Sequence, residues 1–309
     1  MKEFIDDIAV RFDIKRRDLL EKDILIQKIL LNLVEDDFFS KNFAFKGGTC
    51  LIKCYLGYYR FSEDIDFTWI DQPVFKYKSQ KEIRRLVSEY KDKVGKLIIN
   101  ISKNCGFDFI LDKDNKKYIE FGGGNKFVTF KVWFDSEILK RKSFIKIQVN
   151  FVEDIKFEIS KRKVRNLLSN RKDKELEVLY NTDYKNYTTI INLFTYDIKE
   201  IVCEKVRAIL TRRGFKARDF VDIFLISENY GIKIQGLKKE IIEKIKLMLN
   251  LYQKYRTNLV DKIKLLESDD LFEWSAEKEL LLKGINEEKF SRFVKQFQVF
   301  LKDLGKEFV

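Results

Sequence analysis

Asp64 and Asp66 lie in the run Asp64-Ile65-Asp66-Phe67-Thr68-Trp69-Ile70, which alternates polar and apolar side chains. Alternation of this kind predicts a half-buried strand, on which residues i and i+2 face the same side. The two carboxylates therefore stand together while Ile65 and Phe67 enter the core. Like charges this close are costly unless a cation lies between them. Mg²⁺ suits the place, because it takes hard oxygen ligands and shares them with substrate phosphates. Upstream, the stretch Asn42 to Lys46 reads as a strand ending in Gly47-Gly48, and Thr49 to Leu56 as a short helix. The glycines remove side chains that would keep a triphosphate from the backbone, and the helix aims free N–H groups at its phosphates. Thr49 and Ser62 add hydroxyls; Lys46 and Arg60 offset phosphate charge. Taken singly, a Gly-Gly pair reads as a tight turn and Asp-x-Asp as a salt-bridged strand edge. In this order, with fitting elements between them, they read as a nucleotide and metal site.

A second group lies in the C-terminal half. Lys205 and Arg212 are seven residues apart, two helical turns, and share a face with the small Ala208. Asp219 and Asp222 are three apart and adjoin on the next helix. Alone, this group reads as a helix pair joined by surface ion pairs, which contribute little.

The elements that must position these groups change character along the chain. Residues 16–39 have a broad apolar stripe at helical spacing, and Lys78 to Asn104 forms a long amphipathic helix. Phe127 to Phe134 and Ser143 to Phe151 are strands, with Gly122-Gly123-Gly124 a hairpin turn rather than a phosphate loop. Lys161 to Lys174 contains seven basic residues (Lys161, Arg162, Lys163, Arg165, Arg171, Lys172 and Lys174) against Asp173, which by itself describes a solvated face. From Asp197 the chain is helical: Asp197 to Arg213, Ala217 to Asn229, Leu237 to Val260 and two further helices. The shift near residue 195 divides a mixed α/β domain, 1–195, from a helical domain, 196–309.

The 309 residues include no histidine. That excludes Ser-His-Asp and Cys-His nucleophile pairs, His-ligated zinc and haem with a proximal His. Sixty-one Lys and Arg against 49 Asp and Glu leave a net charge of +12. Such a surplus favours polyanionic partners, nucleic acid first, although a lysine-rich proteome has the same effect. Cys50, Cys54, Cys105 and Cys203 show no CxxC spacing and read as packing residues. No run approaches the length of a membrane span and the start has no signal-peptide pattern, so the expected location is cytoplasmic.

Phe45-Lys46-Gly47-Gly48-Thr49 followed by Arg60-Phe61-Ser62-Glu63-Asp64-Ile65-Asp66-Phe67 resembles the signature of the AbiEii-type toxin nucleotidyltransferases, within the polymerase-β-like nucleotidyltransferase superfamily. Glu204-Lys205-Val206-Arg207-Ala208-Ile209-Leu210, Arg212, then Arg218-Asp219 and Asp222 resemble the family's later motifs. The resemblance spans most of residues 40–225. It implies an α+β fold: a mixed sheet flanked by helices, then a helical-bundle domain closing the nucleotide cleft. It implies Mg²⁺-dependent transfer of a nucleoside monophosphate from an NTP to a hydroxyl, with RNA, particularly the tRNA 3′ end, as acceptor. Asp64 and Asp66 would hold the metal, and Gly47, Gly48 and Ser62 would cradle the triphosphate beside Lys46, Thr49 and Arg60. Lys205 and Arg212 would clamp phosphates. Asp219 and Asp222 would lie at the nucleotide, Asp222 activating the acceptor or binding nucleotide. A cognate antitoxin, typically a DNA-binding protein encoded next door, is the implied partner, and no membrane is involved.

One feature departs from the superfamily pattern. A third carboxylate is expected on a later strand, and on Ile145 to Phe151 its position holds Gln148, with Asn150 two residues on. Such an acid helps remove the proton of the attacking hydroxyl. Either Asp222, Glu153 or Asp154 substitutes, or one metal suffices, or the chain is an NTP-binding interaction protein with little turnover. A plain nucleic-acid-binding protein, with structural Gly-Gly and Asp-x-Asp, would bind no Mg–NTP.

Overall fold

Apolar residues recurring every three to four positions form the N-terminal helices α1 (Lys2–Arg11) and α2 (Arg17–Glu35), where Leu20, Ile26, Ile29, Leu30 and Leu33 are fully buried. The computed structural model describes residues 1–309 apart from Asn170, Lys172, Asp269, Asp270, Glu273 and Val309. Asp36 caps the short α3 (Asp37–Asn42) by accepting the Phe39 N–H at 2.7 Å, and α3 delivers the chain into β1 (Phe43–Lys46). A helical run follows at once: α4 (Gly47–Cys50) passes into a π-helical turn, Leu51–Leu56. It begins at Gly47, two residues earlier than the sequence suggests.

After β2 (Asp64–Trp69), α5 (Gln80–Cys105) opens on a capping box between Ser79 and Glu82 and stops at Gly106, whose φ of 74° is left-handed. Strands β3 (Ile119–Gly122) and β4 (Phe127–Asp135) form the hairpin that the three glycines announce. The remaining elements of this part are β5 (Lys142–Asn150), β6 (Ser160–Val164), α6 (Lys174–Leu179), α7 (Asn181–Thr188) and β7 (Ile191–Thr195).

Among the described residues, seven strands make one mixed sheet in the order β3-β4-β5-β2-β1-β7-β6. β2 runs antiparallel to β1 and parallel to β5, with Phe67 opposite Phe45 and beside Val149. One face is the core. Phe43, Phe45, Ile65, Phe67 and Ile147 are fully buried there; Phe39 of α3 packs on Phe43 and Phe67 at ring distances of 4.6 and 4.8 Å, and Tyr90 of α5 stacks on Trp69 at 4.1 Å. By strand alternation, Lys46, Asp64, Asp66 and Gln148 share the other face.

The second half forms α8 (Ile198–Thr211), α9 (Ala217–Tyr230), α10 (Lys238–Leu251), α11 (Gln253–Leu265), α12 (Ser275–Lys278) and α13 (Glu287–Gly305). The expected single helix Leu237 to Val260 is broken at Tyr252, whose φ of −141° and ψ of 105° are extended. The Arg256 guanidinium closes the break by donating to the Leu249 carbonyl at 3.3 Å. The break turns α11 so that Leu259 and Leu266 bury.

The chain divides into two compact units, Met1–Glu153 with Ile159–Tyr196, and Asp154–Glu158 with Asp197–Val309. The strap 154–158 belongs with the helices for a definite reason. The buried Glu200 carboxylate of α8 accepts the Lys156 and Phe157 N–H groups at 2.7 and 2.9 Å, and the buried Lys244 ammonium of α10 donates to the Asp154 carbonyl at 2.7 Å. Lys244 and Glu200 are themselves 2.5 Å apart. Burial pushes the Cys50 thiol well above its ordinary range, with Cys54 adding to the effect, and burial with Glu200 pushes Cys203 up to about 12. No helix among the described residues is long and apolar enough to cross a membrane.

Candidate active site

The first unit places the paired aspartates against the glycine turn. Gly47 has a φ of 75°, and a Cβ there would lie 2.2 Å from Asp66 Oδ2, so the carboxylate rests on bare backbone. A Cβ on Gly48 would lie 3.1 Å from Arg60 Nη2 and 3.2 Å from Ser62 Oγ. Asp66, Arg60 and Ser62 are thereby gathered around Gly47-Gly48, and Asp64, half-buried like Asp66, shares its face of β2. Lys46 pairs with Asp66 across β1 and β2. Lys46, the N-cap residue of α4, makes no side-chain capping hydrogen bond. The Thr49 hydroxyl donates to the Asp64 carbonyl, which ties the first turn of the helix to the strand bearing the acids.

Behind the turn, a buried network fixes the π-helical segment. The Lys53 ammonium, with no exposed surface, lies 2.8 Å from Asp23 of α2 and donates to the Tyr58 hydroxyl at 2.6 Å. Tyr58 and Tyr187 of α7 donate to the same Asp23 oxygen at 2.8 and 2.7 Å. Burial, then the Asp23 charge, pushes both phenols well above their usual range, so they remain donors at neutral pH. A fully satisfied polar network of this kind holds its elements in one arrangement.

On β5, Lys146 stands beside Asp64 and Gln148 beside Asp66, so the neighbours of the acids are a cation and an amide. Among the described residues, no group of three or more Asp, Glu, Cys or His side chains is arranged to hold a metal. Glu153 has a side chain only 1% exposed; it lies 3.5 Å from Lys46 Nζ and accepts from Asn150 at 2.7 Å. Lys46 also sits 5.4 Å over the Tyr196 ring. The carboxylates that β2 presents together on this face are those of Asp64 and Asp66. Hard oxygens from one or two carboxylates, completed by water and substrate phosphate, are what Mg²⁺ takes, so the residues fit that ion.

The second unit gathers the other group around Lys205. Its ammonium is 2.5 Å from Asp222 Oδ2 and 3.1 Å from Asp219 Oδ1, and Arg212 Nη1 is 3.4 Å from Asp219 Oδ2. Asp222 is fully buried and Asp219 nearly so. Burial works to raise the Asp219 carboxyl, but the Lys205 ammonium and Arg212 guanidinium overcome it and hold it below the usual range. Arg212 reaches Asp219 from just beyond the end of α8, in extended backbone at φ −82° and ψ 158°. The expected helical face therefore stops one residue short of it, and the loop supplies the convergence.

Sequence reasoning named Glu153 only as a substitute acid and missed its partner, and it missed Lys262 altogether. The pairing of Glu153 with Lys46 joins residues 107 apart and leaves no local trace. Lys262 of α11 is 1% exposed, donates to the Gly214 carbonyl and lies 3.8 Å over the Phe215 ring. Burial, then the Arg212 charge, pushes it down to about 8. Its signal was present: a lysine between Leu259 and Leu266 occupies an apolar stripe.

A mixed seven-stranded sheet flanked by helices, with a helical C-terminal region, matches the folds of nucleotidyltransferase toxins. The family described as nucleotidyl transferase AbiEii toxin, type IV TA system, matches residues 28–308, and the chain belongs to this family. It is accordingly a nucleotidyltransferase toxin of a type IV toxin–antitoxin system, an enzyme of nucleotidyl transfer, and the family implies an NTP substrate and an antitoxin partner. The fold is similar to that of MenT4, a nucleotidyltransferase toxin from Mycobacterium tuberculosis, with 17% identity and a TM-score of 0.53 over 96% of this chain and 89% of that one. JHP933 from Helicobacter pylori aligns with 16% identity and a TM-score of 0.44 over 94% of each chain. No curated protein sequence matches the chain.

Proposed function

We propose that the chain transfers a nucleoside monophosphate from Mg²⁺–NTP to a hydroxyl of RNA, the tRNA 3′ end being the first acceptor to test. The acceptor oxygen bonds to the α-phosphorus as the bond to pyrophosphate breaks; pyrophosphate leaves and the hydroxyl proton is released. Asp64 and Asp66 are the proposed metal ligands. Mg²⁺ would neutralise phosphate charge and polarise the reacting phosphoryl group. Gly47, Gly48, Ser62 and Arg60 are the proposed triphosphate cradle, with Lys46 and Thr49 supporting it from β1 and α4. Lys205 and Arg212 are further proposed phosphate contacts, as the family resemblance implies. Asp219 and Asp222 hold the Lys205 ammonium in place.

The observation that carries this reading is the Asp66 carboxylate lying against side-chain-free backbone at Gly47, on the face it shares with Asp64. Gln148 beside Asp66 favours slow turnover through a single-metal arrangement. The test is a transfer assay on total RNA with each of four α-labelled NTPs, followed by mapping of the labelled position. The wild type labels RNA with one or two of the four, and Asp64→Ala does not. An Asp64→Ala protein labelling RNA at the normal rate refutes the mechanism, and label on protein alone refutes the acceptor.

A further inference from the structure

Outside the glycine turn, the first unit has a cavity of about 730 Å³ beside the edge strand β6, backed by Cys54 and closed by α7. Five cations line it, Lys161, Arg162, Lys163, Arg165 and Arg171, and all five are exposed. Glu177 is the one carboxylate in that lining, and among the described residues none of the five cations forms an ion pair. Lys172, part of the same basic run, lies outside the described residues. Aromatic rings hold three of the cations in place. The Arg162 guanidinium lies 4.4 Å from the Tyr55 ring, Lys161 lies 5.0 Å from Phe194, and Arg171 lies 5.3 Å from Phe12. Tyr55 is anchored in turn, its hydroxyl donating to the Tyr196 carbonyl.

Concentrated like charge is unfavourable without an anion to meet it, and the single Glu177 carboxylate does not balance five cations. From Lys161 to Arg165 the chain covers about 13 Å at about 3.3 Å per residue, so the charges form a line. A line suits the repeated phosphates of a polymer better than one compact triphosphate. Cations repeated along an extended segment match phosphates repeated along a backbone, which favours nucleic acid over an acidic protein. Position agrees. Lys161 pairs with Phe194, one residue before Thr195, the β7 partner of Phe45. The groove therefore opens about two strand spacings, about 10 Å, from β1 and its glycine turn.

We propose that this groove seats the phosphodiester backbone of the acceptor RNA, a binding site separate from the NTP cradle. The proposal rests on the reading that the acceptor is RNA. Its test compares the wild type with the triple variant Lys161→Gln, Lys163→Gln, Arg165→Gln, three exposed side chains whose loss leaves the core intact. A single-stranded contact contributes about 0.7 to the slope of log affinity against log salt, so the variant's slope falls by about 2 and its affinity for a short single-stranded oligoribonucleotide drops about 100-fold at about 0.1 M salt. Thermal midpoint and Mg–NTP affinity serve as the control for folding. Unchanged oligoribonucleotide affinity and slope overturn the proposal, as does equal loss of binding to polyglutamate, which would make the groove a site for acidic protein. The two readings fail separately. Wild-type labelling of RNA with the same acceptor KM in the variant sinks the groove and leaves the transfer reaction standing. Loss of RNA binding in the variant, where the wild type labels no RNA, sustains the groove and sinks the RNA acceptor.

Discussion

Replacing Gly47 with alanine separates the chemistry of the glycine turn from its backbone geometry. Two penalties meet at this position. The φ of 75° is one that side chains rarely adopt, which costs about 1–3 kcal/mol, and the new methyl would sit 2.2 Å from Asp66 Oδ2. The carboxylate must swing away from the face it shares with Asp64. A misplacement of about 1 Å at a reacting centre costs about 100-fold in rate. Gly57 supplies the comparison: its φ is also 75°, its ψ is −174°, and no atom lies within 4 Å of a Cβ built there. Gly57→Ala therefore bears at least as much backbone strain with no contact. Both variants should lower the thermal midpoint, by about 2–4 °C for each kcal/mol. Measured per folded molecule, Gly57→Ala should retain nucleotidyl transfer, and Gly47→Ala should lose about 100-fold. If the two variants transfer at rates within a factor of about three, the Asp66 carboxylate does not act from its place on Gly47 and the cradle argument fails.

Three further outcomes follow from the second unit. Lys205→Met leaves two buried carboxylates without their ammonium and should cost about 3–5 kcal/mol in urea unfolding, part of which Asp222→Asn restores in the double variant. Asp219 titrates below its ordinary value of 3.8 in the folded chain, so its contribution is present above that pH and is lost as pH falls through the folded value. Asp219→Asn should accordingly flatten the acid limb of the stability profile, and an unaltered limb would count against the Lys205 pairing. Lys262, pushed down to about 8, binds fewer protons folded than unfolded between pH 8 and its ordinary 10.5. Wild-type stability should therefore rise relative to Lys262→Met across that interval, read from urea midpoints, and parallel profiles would refute the burial argument.

What could be read in the sequence was short-range. The alternation of residues 64–70, the glycines before a helix and the hairpin glycines each determine local geometry within a few residues. Lys205, Asp219 and Asp222 were foreseeable because helical spacing carries them to adjoining faces. Other features depend on segments that meet only after folding. Glu153 finds Lys46, Asp23 finds Lys53 and Tyr187, and the strap 154–158 finds Glu200 and Lys244, each across many tens of residues. Periodicity is also silent about where a continuous stripe must bend, as at Tyr252, or where a helix ends one residue early, as at Thr211. Buried lysines are the exception worth carrying forward. Lys53, Lys244 and Lys262 all interrupt apolar surfaces, and each marks a long-range partner.

The five-residue strap makes the gene indivisible at its obvious seam. A fragment starting at Asp197 would carry Glu200 and Lys244 into its interior without the amides and carbonyl that receive them. Such a tail, expressed alone, should be poorly folded, whereas one with residues 154–158 spliced in front through a flexible linker should regain cooperative unfolding. By the same token the helical unit is ill suited to be exchanged between relatives as a free-standing C-terminal module: any recombinant must bring the interior loop along with it.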